Sequence, residues 1–147
     1  MKKDIAGEEP VSTCPECGAP QVTGLTCEEM RDQLFVWEYQ DTELMAEHFL
    51  TVASYNLQHP AAFQEEAIPG LRAALIDRLD KGMSIAEIRR RAAAVYDGSK
   101  RVLKPLAERR PVLRRWERTI AGVYLPEQPE GAAERVRAWA ASIRWEM

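Results

Sequence analysis

Five residues of this chain are of the types that hold a borderline-soft metal ion: Cys14, Cys17, Cys27, His48 and His59. Cys14-Pro15-Glu16-Cys17-Gly18 has the Cys-x-x-Cys spacing at which two thiolates of one tight turn take adjacent corners of a tetrahedron around zinc. Pro15 stiffens that turn. Gly18 supplies the residue that a chain folding back after the second sulfur needs at positive φ. Redox motifs share this spacing, but no strand–helix pattern of the thioredoxin kind precedes it here. Unliganded core cysteines are a weaker alternative, because CPxCG is a turn pattern and not a core pattern. Five candidates compete for four positions, so one must be left out.

The helices that position these residues identify it. Thr26 followed by Glu29 is a capping-box pattern, so a helix begins near Cys27 and carries Met30, Leu34 and Trp37 to about Gln40. Asp41 or Thr42 then caps a second helix, from Glu43 to about Gln58, with Met45, Phe49, Val52 and Tyr55 as its apolar stripe. So short a connection makes an antiparallel hairpin. The start of the first helix then lies beside the end of the second, which brings Cys27 to His59. His48 precedes His59 by eleven residues, roughly 16 Å along a helix, while zinc–ligand bonds are only about 2.0–2.3 Å long. One ion cannot reach both histidines. The expected metal ligands are Cys14, Cys17, Cys27 and His59, with zinc as the cofactor.

Eleven residues is close to three whole turns, so His48 and His59 share a face, as do Cys27 and Glu38. If Cys27 faces His59 across the hairpin, Glu38 faces His48. That carboxylate–imidazole pair is either a core hydrogen bond fixing helix register or the start of a site with Glu38, His48 and Tyr55 as catalytic candidates. The structural reading is favoured for the pair, and Tyr55 is expected to pack in the hairpin core. Four protein ligands leave zinc no open position for water, which favours a structural over a catalytic ion.

The motif CPxCG, a following cysteine, an acidic residue closing the first helix and H-x-L-x-V-x-x-Y-x-x-Q-H-P together resemble an uncharacterised bacterial family of small CPxCG/QHP proteins, a domain of unknown function. The matching residues are Cys14, Pro15, Cys17, Gly18, Cys27, Glu38, His48, Leu50, Val52, Tyr55, Gln58, His59 and Pro60. Val136-Arg137-x-Trp139-Ala140 is similar as well. The resemblance spans most of the chain and implies no substrate or mechanism.

A chain of 147 residues fits one domain with a real core. We expect a flexible arm over residues 1–12 and a single zinc-stabilised helical domain over 13–147. No apolar run approaches the ~20 residues of a membrane helix. The N-terminus lacks the apolar stretch of a signal peptide. Three cysteines in this spacing without an export signal point to reduced thiolates in a cytoplasm. After Pro60 the pattern predicts helices over 70–80 (Leu71, Ala74, Leu75, Ile76 and Leu79, stopped at Gly82), 85–96 (opened by Ser84 with Glu87, apolar at Ile85, Ile88, Ala92 and Val95) and 132–145 (Val136, Trp139, Ala140 and Ile143 inward). Residues 119–125 are β-branched enough for either an extended piece or a helix. Pro105 and Pro111 break 99–118, where Val102, Leu103, Leu106, Val112, Leu113 and Trp116 remain available to cover the core. Trp37, Trp116, Trp139 and Trp145 read as buried or half-buried. The fold class is all-α: an irregular helical bundle with an N-terminal zinc knuckle packed on a helical hairpin.

Charge is unevenly placed. Residues 1–47 carry eleven acidic groups against three basic, and residues 89–118 eleven basic against three acidic. The two regions either neutralise each other in the fold or leave a polyanion-binding face. No nucleotide-binding glycine loop, Gly-x-Ser-x-Gly elbow or HExxH occurs. Three function classes follow. The first is a zinc-fixed interaction or regulatory module with a protein partner. The second is a small metal-linked enzyme at Glu38 and His48. The third, ranked behind a solvated face because exposed aromatics do not interleave with the cations, is nucleic-acid binding through 89–118.

Overall fold

The computed structural model describes residues 12–95, 102–125 and 127–147. Among them are seven α-helices and no strand beyond isolated bridges. The expected arm falls, apart from Ser12, outside the described residues. The helices are α1 (Cys27–Glu38), α2 (Thr42–Ala46), α3 (His48–Leu57), α4 (Ile68–Lys81), α5 (Ile85–Val95), α6 (Ile120–Tyr124) and α7 (Ala132–Glu146). The protein is all-α, with its cysteine cluster at the N-terminal side of the bundle.

Local chemistry sets most boundaries. Thr26 Oγ1 accepts from Glu29 N–H while the Glu29 carboxylate accepts from Thr26 N–H, so the capping box that opens α1 is complete. Asp41 caps α2 by accepting from the N–H groups of Glu43 and Leu44. Ser84 accepts from Glu87 N–H at the start of α5, but the Glu87 carboxylate turns to Arg90 and Arg91. Gly82 ends α4 in the left-handed conformation at φ +64°, which a side chain would strain. Residues 119–125 resolve as the short helix α6. Its Ile120 and Val123 are each 1 % exposed, so burial overrides their β-branched preference.

The single second helix of the expected hairpin is interrupted. Glu47, at φ −101° and ψ 17°, separates α2 from α3. The apolar phase resets there: Leu44 turns inward, while Met45 is exposed and Phe49 and Val52 are only half-buried. The buried residues of α3 are Leu50, Thr51, Ala53, Ser54, Tyr55 and Leu57. They are spread over more than one side because α1, α4 and α7 all pack against this helix. Arg137 of α7 holds the break by pairing with Glu47 (2.7 Å) and Glu43 (3.2 Å).

Other expectations also change. Val102, Leu103, Leu106, Val112 and Leu113 do not cover the core; all five are exposed, Leu106 at 80 %. Their segment runs over the surface with only one 3₁₀ turn, so its side chains have no helix face to bury. Trp116 packs half-buried against the core. Trp145 is exposed, because it lies two residues, or about 200°, from inward-facing Ile143 on α7. Ala92 of α5 is exposed too, and Val95's side chain lies outside the described residues. No helix of the described residues is long and apolar enough to cross a membrane.

Candidate metal centre

The turn that carries the first two cysteines is built by the backbone. Cys14 N–H donates to Ala19 O (2.9 Å) and Gly18 N–H to Cys14 O (3.0 Å). Gly18 sits at φ +79°, where a side chain would be strained. The N–H groups of Glu16 and Cys17 point at Cys14 Sγ, and that of Ala19 at Cys17 Sγ, each at 3.4 Å. The Ala19 N–H favours the thiolate of Cys17, against the stronger influences of Cys27 and burial that raise it. Cys27 is the first residue of α1, so its sulfur also lies at the positive end of that helix.

His59 follows the C-cap of α3 and is aimed by its own helix. Its Nδ1 donates to the Tyr55 carbonyl (2.6 Å), and its ring stacks on Tyr55 with centroids 4.0 Å apart. Nε2 therefore faces the sulfurs, at 3.4 Å from Cys27 and 3.6 Å from Cys14. The Tyr55 hydroxyl lies 3.7 Å from Cys27 Sγ, and the Arg31 guanidinium covers the other part of that stack, 4.8 Å from the Tyr55 ring centroid. The ligand atoms of Cys14, Cys17, Cys27 and His59 lie within 4.8 Å of one another, close enough to bind a metal ion. Cys17, Cys27 and His59 are buried and Cys14 is half-buried.

These donors divide charge unevenly among themselves. The hydrogen bond from Cys17, opposed by burial and helped by His59, holds the Cys27 thiol down at about 3. The same bond, with burial, pushes Cys17 far up. Burial works to lower His59, but its bonds to Cys27 and the Tyr55 carbonyl outweigh that and leave it raised at about 9. Burial pushes the Tyr55 phenol up, and the neighbouring Cys27 pushes it further. A cation binding here would displace the proton held on His59 beside Cys27 and the one held on Cys17.

The second constellation forms at the other end of α1 and α3. His48 Nδ1 meets the Glu38 carboxylate at 2.8 and 3.0 Å. The carboxylate side chain is 3 % exposed and the imidazole 47 %. Burial pushes the Glu38 carboxyl up, and His48 pulls it partly back. His48 has no part in the cysteine cluster. The Tyr55 hydroxyl and ring lie against Cys27 and His59, at the opposite end of the α1–α3 pair from Glu38 and His48. Two cavities lie elsewhere. One of about 500 Å³ is lined by Arg118, Thr119, Glu134, Arg135 and Trp139. The other, of about 60 Å³, is lined by Glu16, Gln58, Arg72 and Trp116. Neither is lined by Glu38 or His48.

Sequence reasoning missed two residues that tie the centre to the fold. Glu16, between the first two cysteines, is buried. Its carboxylate accepts from Ala61 N–H (2.7 Å) and its carbonyl from Arg114 N–H (3.0 Å). Gln58, 1 % exposed, donates from Nε2 to Arg118 O (2.8 Å) and accepts at Oε1 from the Trp139 indole (3.2 Å). The signal was present in Gln58-His59-Pro60 itself. A glutamine beside a ligand, inside an apolar helix end, has two hydrogen-bonding ends to satisfy. Together these contacts account for the clustered motif residues. His59 faces the sulfurs, Gln58 faces α7, Pro60 ends α3, and Val136, Arg137 and Trp139 are the α7 residues that meet the core, Glu47 and Gln58. No curated protein and no solved structure matches this chain. Residues 12–147, from the cysteine knuckle through α7, match the model of a family of unknown function, DUF5946, and the chain belongs to that family.

Proposed function

We infer that the protein is a zinc-stabilised helical scaffold that works as an interaction or regulatory module, with the ion in a structural role. The observation that carries this reading is the donor set: three sulfurs and one imidazole nitrogen converge from all sides within 4.8 Å. Bonds of about 2.3 Å to sulfur and 2.0–2.1 Å to nitrogen at a tetrahedral angle separate S and N by about 3.6 Å. In the structure, His59 Nε2 lies 3.4 Å from Cys27 Sγ and 3.6 Å from Cys14 Sγ. The thiolate-rich set suits zinc among common ions, and a fourth protein ligand leaves no position for water. When bound, the ion supplies cross-linking energy to the fold. The chain's own residues orient the ligands: the Tyr55 carbonyl fixes the His59 tautomer, and backbone N–H groups hold Cys14 and Cys17.

Cobalt(II) exchanged into the purified protein tests this. A closed site gives an intense tetrahedral thiolate spectrum that small anions such as azide leave unchanged. A spectrum that shifts with azide reveals an open coordination position and turns the reading toward catalysis. The enzyme reading at Glu38 and His48 rests on a buried carboxylate orienting a half-exposed imidazole, but no cavity described above adjoins them.

A further inference from the structure

Leu125, Trp145 and Met147 aside, the exposed large apolar side chains among the described residues lie in two places, and the two carry opposite charge. The outer face of α1 and the adjoining α2 present Val36 (50 % exposed), Tyr39 (85 %) and Met45. Asp32, Val36 and Tyr39 follow one another at i, i+4 and i+7, so they form one stripe. Residues 28–47 around this stripe hold seven acidic groups and one basic. The second place is the surface segment 102–118, with Val102, Leu103, Leu106, Val112 and Leu113 exposed. It holds six basic groups and two acidic.

The two patches do not meet within one chain. Segment 102–118 is pinned at the knuckle end of the molecule. Gln64 N–H donates to Val102 O, Lys104 N–H to Ala62 O and Arg114 N–H to Glu16 O. The acidic patch centres on the far end of α1, where Glu38 meets His48, roughly 16 Å from Cys27. Among the described residues, Asp32 pairs with Arg31 and Glu43 with Arg137; neither reaches a cation of 102–118. The neutralisation that sequence alone allowed is therefore not made between these patches.

We propose that the acidic α1–α2 patch of one copy docks on the basic segment 102–118 of a second copy. This deepens the interaction-module reading and rests on it. Charge complementarity of two apolar-bearing surfaces selects the partner: aliphatic side chains rimmed by arginine fit an apolar surface rimmed by carboxylates, and this chain carries one. Nucleic acid fits less well, because single strands are held by several exposed aromatic platforms set among the cations, whereas within the segment Trp116 is half-buried beneath the Arg114 guanidinium, 3.8 Å away, and the exposed Trp145 lies on α7. The contact joins unlike surfaces, so a two-fold pair makes it twice and an open chain makes it once per copy.

Sedimentation velocity on the purified full chain tests the proposal. At about 0.05 M salt the mass rises with concentration to two copies or more, and at about 0.5 M salt the association weakens at least about tenfold. Arg110→Glu with Arg115→Glu, and separately Asp32→Lys with Tyr39→Lys, each abolish self-association while metal and helix content stay unchanged. Mixing the two variants restores a complex, because the untouched α1–α2 patch of the first then meets the untouched segment 102–118 of the second. A wild type that stays a single copy at low salt overturns the proposal, and so does a wild type that associates while the mixed variants remain apart. A single-copy wild type that binds a DNA duplex or anionic phospholipid vesicles assigns the segment to that polyanion and overturns it too. None of these failures touches the metal reading, which the cobalt spectrum decides separately.

Discussion

Gln58→Leu isolates the part of the Gln58-His59-Pro60 motif that belongs to the fold from the part that belongs to the metal. Leucine has nearly the volume of glutamine, so little cavity forms. What is lost is both ends of a buried amide: the acceptor for the Trp139 indole N–H and the donor for the Arg118 carbonyl. Trp139 is 1 % exposed, so its N–H finds no water and the full penalty of about 1–3 kcal/mol applies. Arg118 lies at the surface, so its carbonyl is partly resolvated and adds about 1 kcal/mol. The expected destabilisation is about 2–4 kcal/mol, or roughly 5–15 °C in Tm for a chain of this size. Denaturant unfolding of the wild type, Gln58→Leu, Trp139→Phe and the double variant measures it. Phenylalanine carries no N–H to strand, so the double variant costs at least about 1 kcal/mol less than the sum of the singles. Metal stoichiometry is unchanged in Gln58→Leu, because His59 is aimed by the Tyr55 carbonyl. A cost below about 0.5 kcal/mol, additive singles, or loss of metal in Gln58→Leu would refute the reasoning.

Three further outcomes follow from the same geometry. Cys14→Ser, Cys17→Ser, Cys27→Ser and His59→Ala each lose the metal on elemental analysis while His48→Ala keeps it; the reverse pattern for the two histidines defeats the assignment. Removal of the metal by a strong chelator lowers Tm and raises amide exchange at Arg114 as well as in 13–27, because Glu16 O, inside the metal turn, is the acceptor for Arg114 N–H. Burial raises the Glu38 carboxyl in the folded state above its unfolded value of about 4.3. The folded state then binds more protons between those two values, so this group's contribution to stability falls as pH rises through that window. Glu38→Gln flattens the downward slope in unfolding titrations as pH rises above the unfolded carboxylate value, and a slope unchanged in Glu38→Gln assigns it to other groups.

The clustering of Cys27 with His59 and the facing of Glu38 and His48 were legible because both follow from one number, an eleven-residue spacing on each side of the hairpin. That arithmetic survived the break at Glu47 because the break falls one residue before His48, leaving His48 to Leu57 in one helix that ends two residues short of His59. The break itself was not legible. It is held by Arg137, ninety residues away in sequence, and no local signal announces it. Met45 was misplaced for the same reason, since periodicity carries no phase across an unseen interruption. The exposed leucines and valines of 102–113 were misread because hydrophobicity alone cannot tell a segment that enters the core from one that lies across it. Residues 119–125 stayed undecided because tertiary burial, not propensity, makes them helical.

The bond from Gln58 to Trp139 spans 81 residues of sequence, and that separation bears on how the chain is made. On the ribosome the knuckle, α1 and α3 emerge before α7, and the loops between them are short to close. The face of α3 that meets α7, with Thr51, Ser54 and Gln58, must then wait until the following eighty residues have been synthesised. At about 5–20 residues per second that wait is several seconds, long compared with helix formation or collapse. During it, Gln58 has both amide ends open to water, and a polar group at the centre of the waiting face makes that face less adhesive to other nascent chains than a leucine there would.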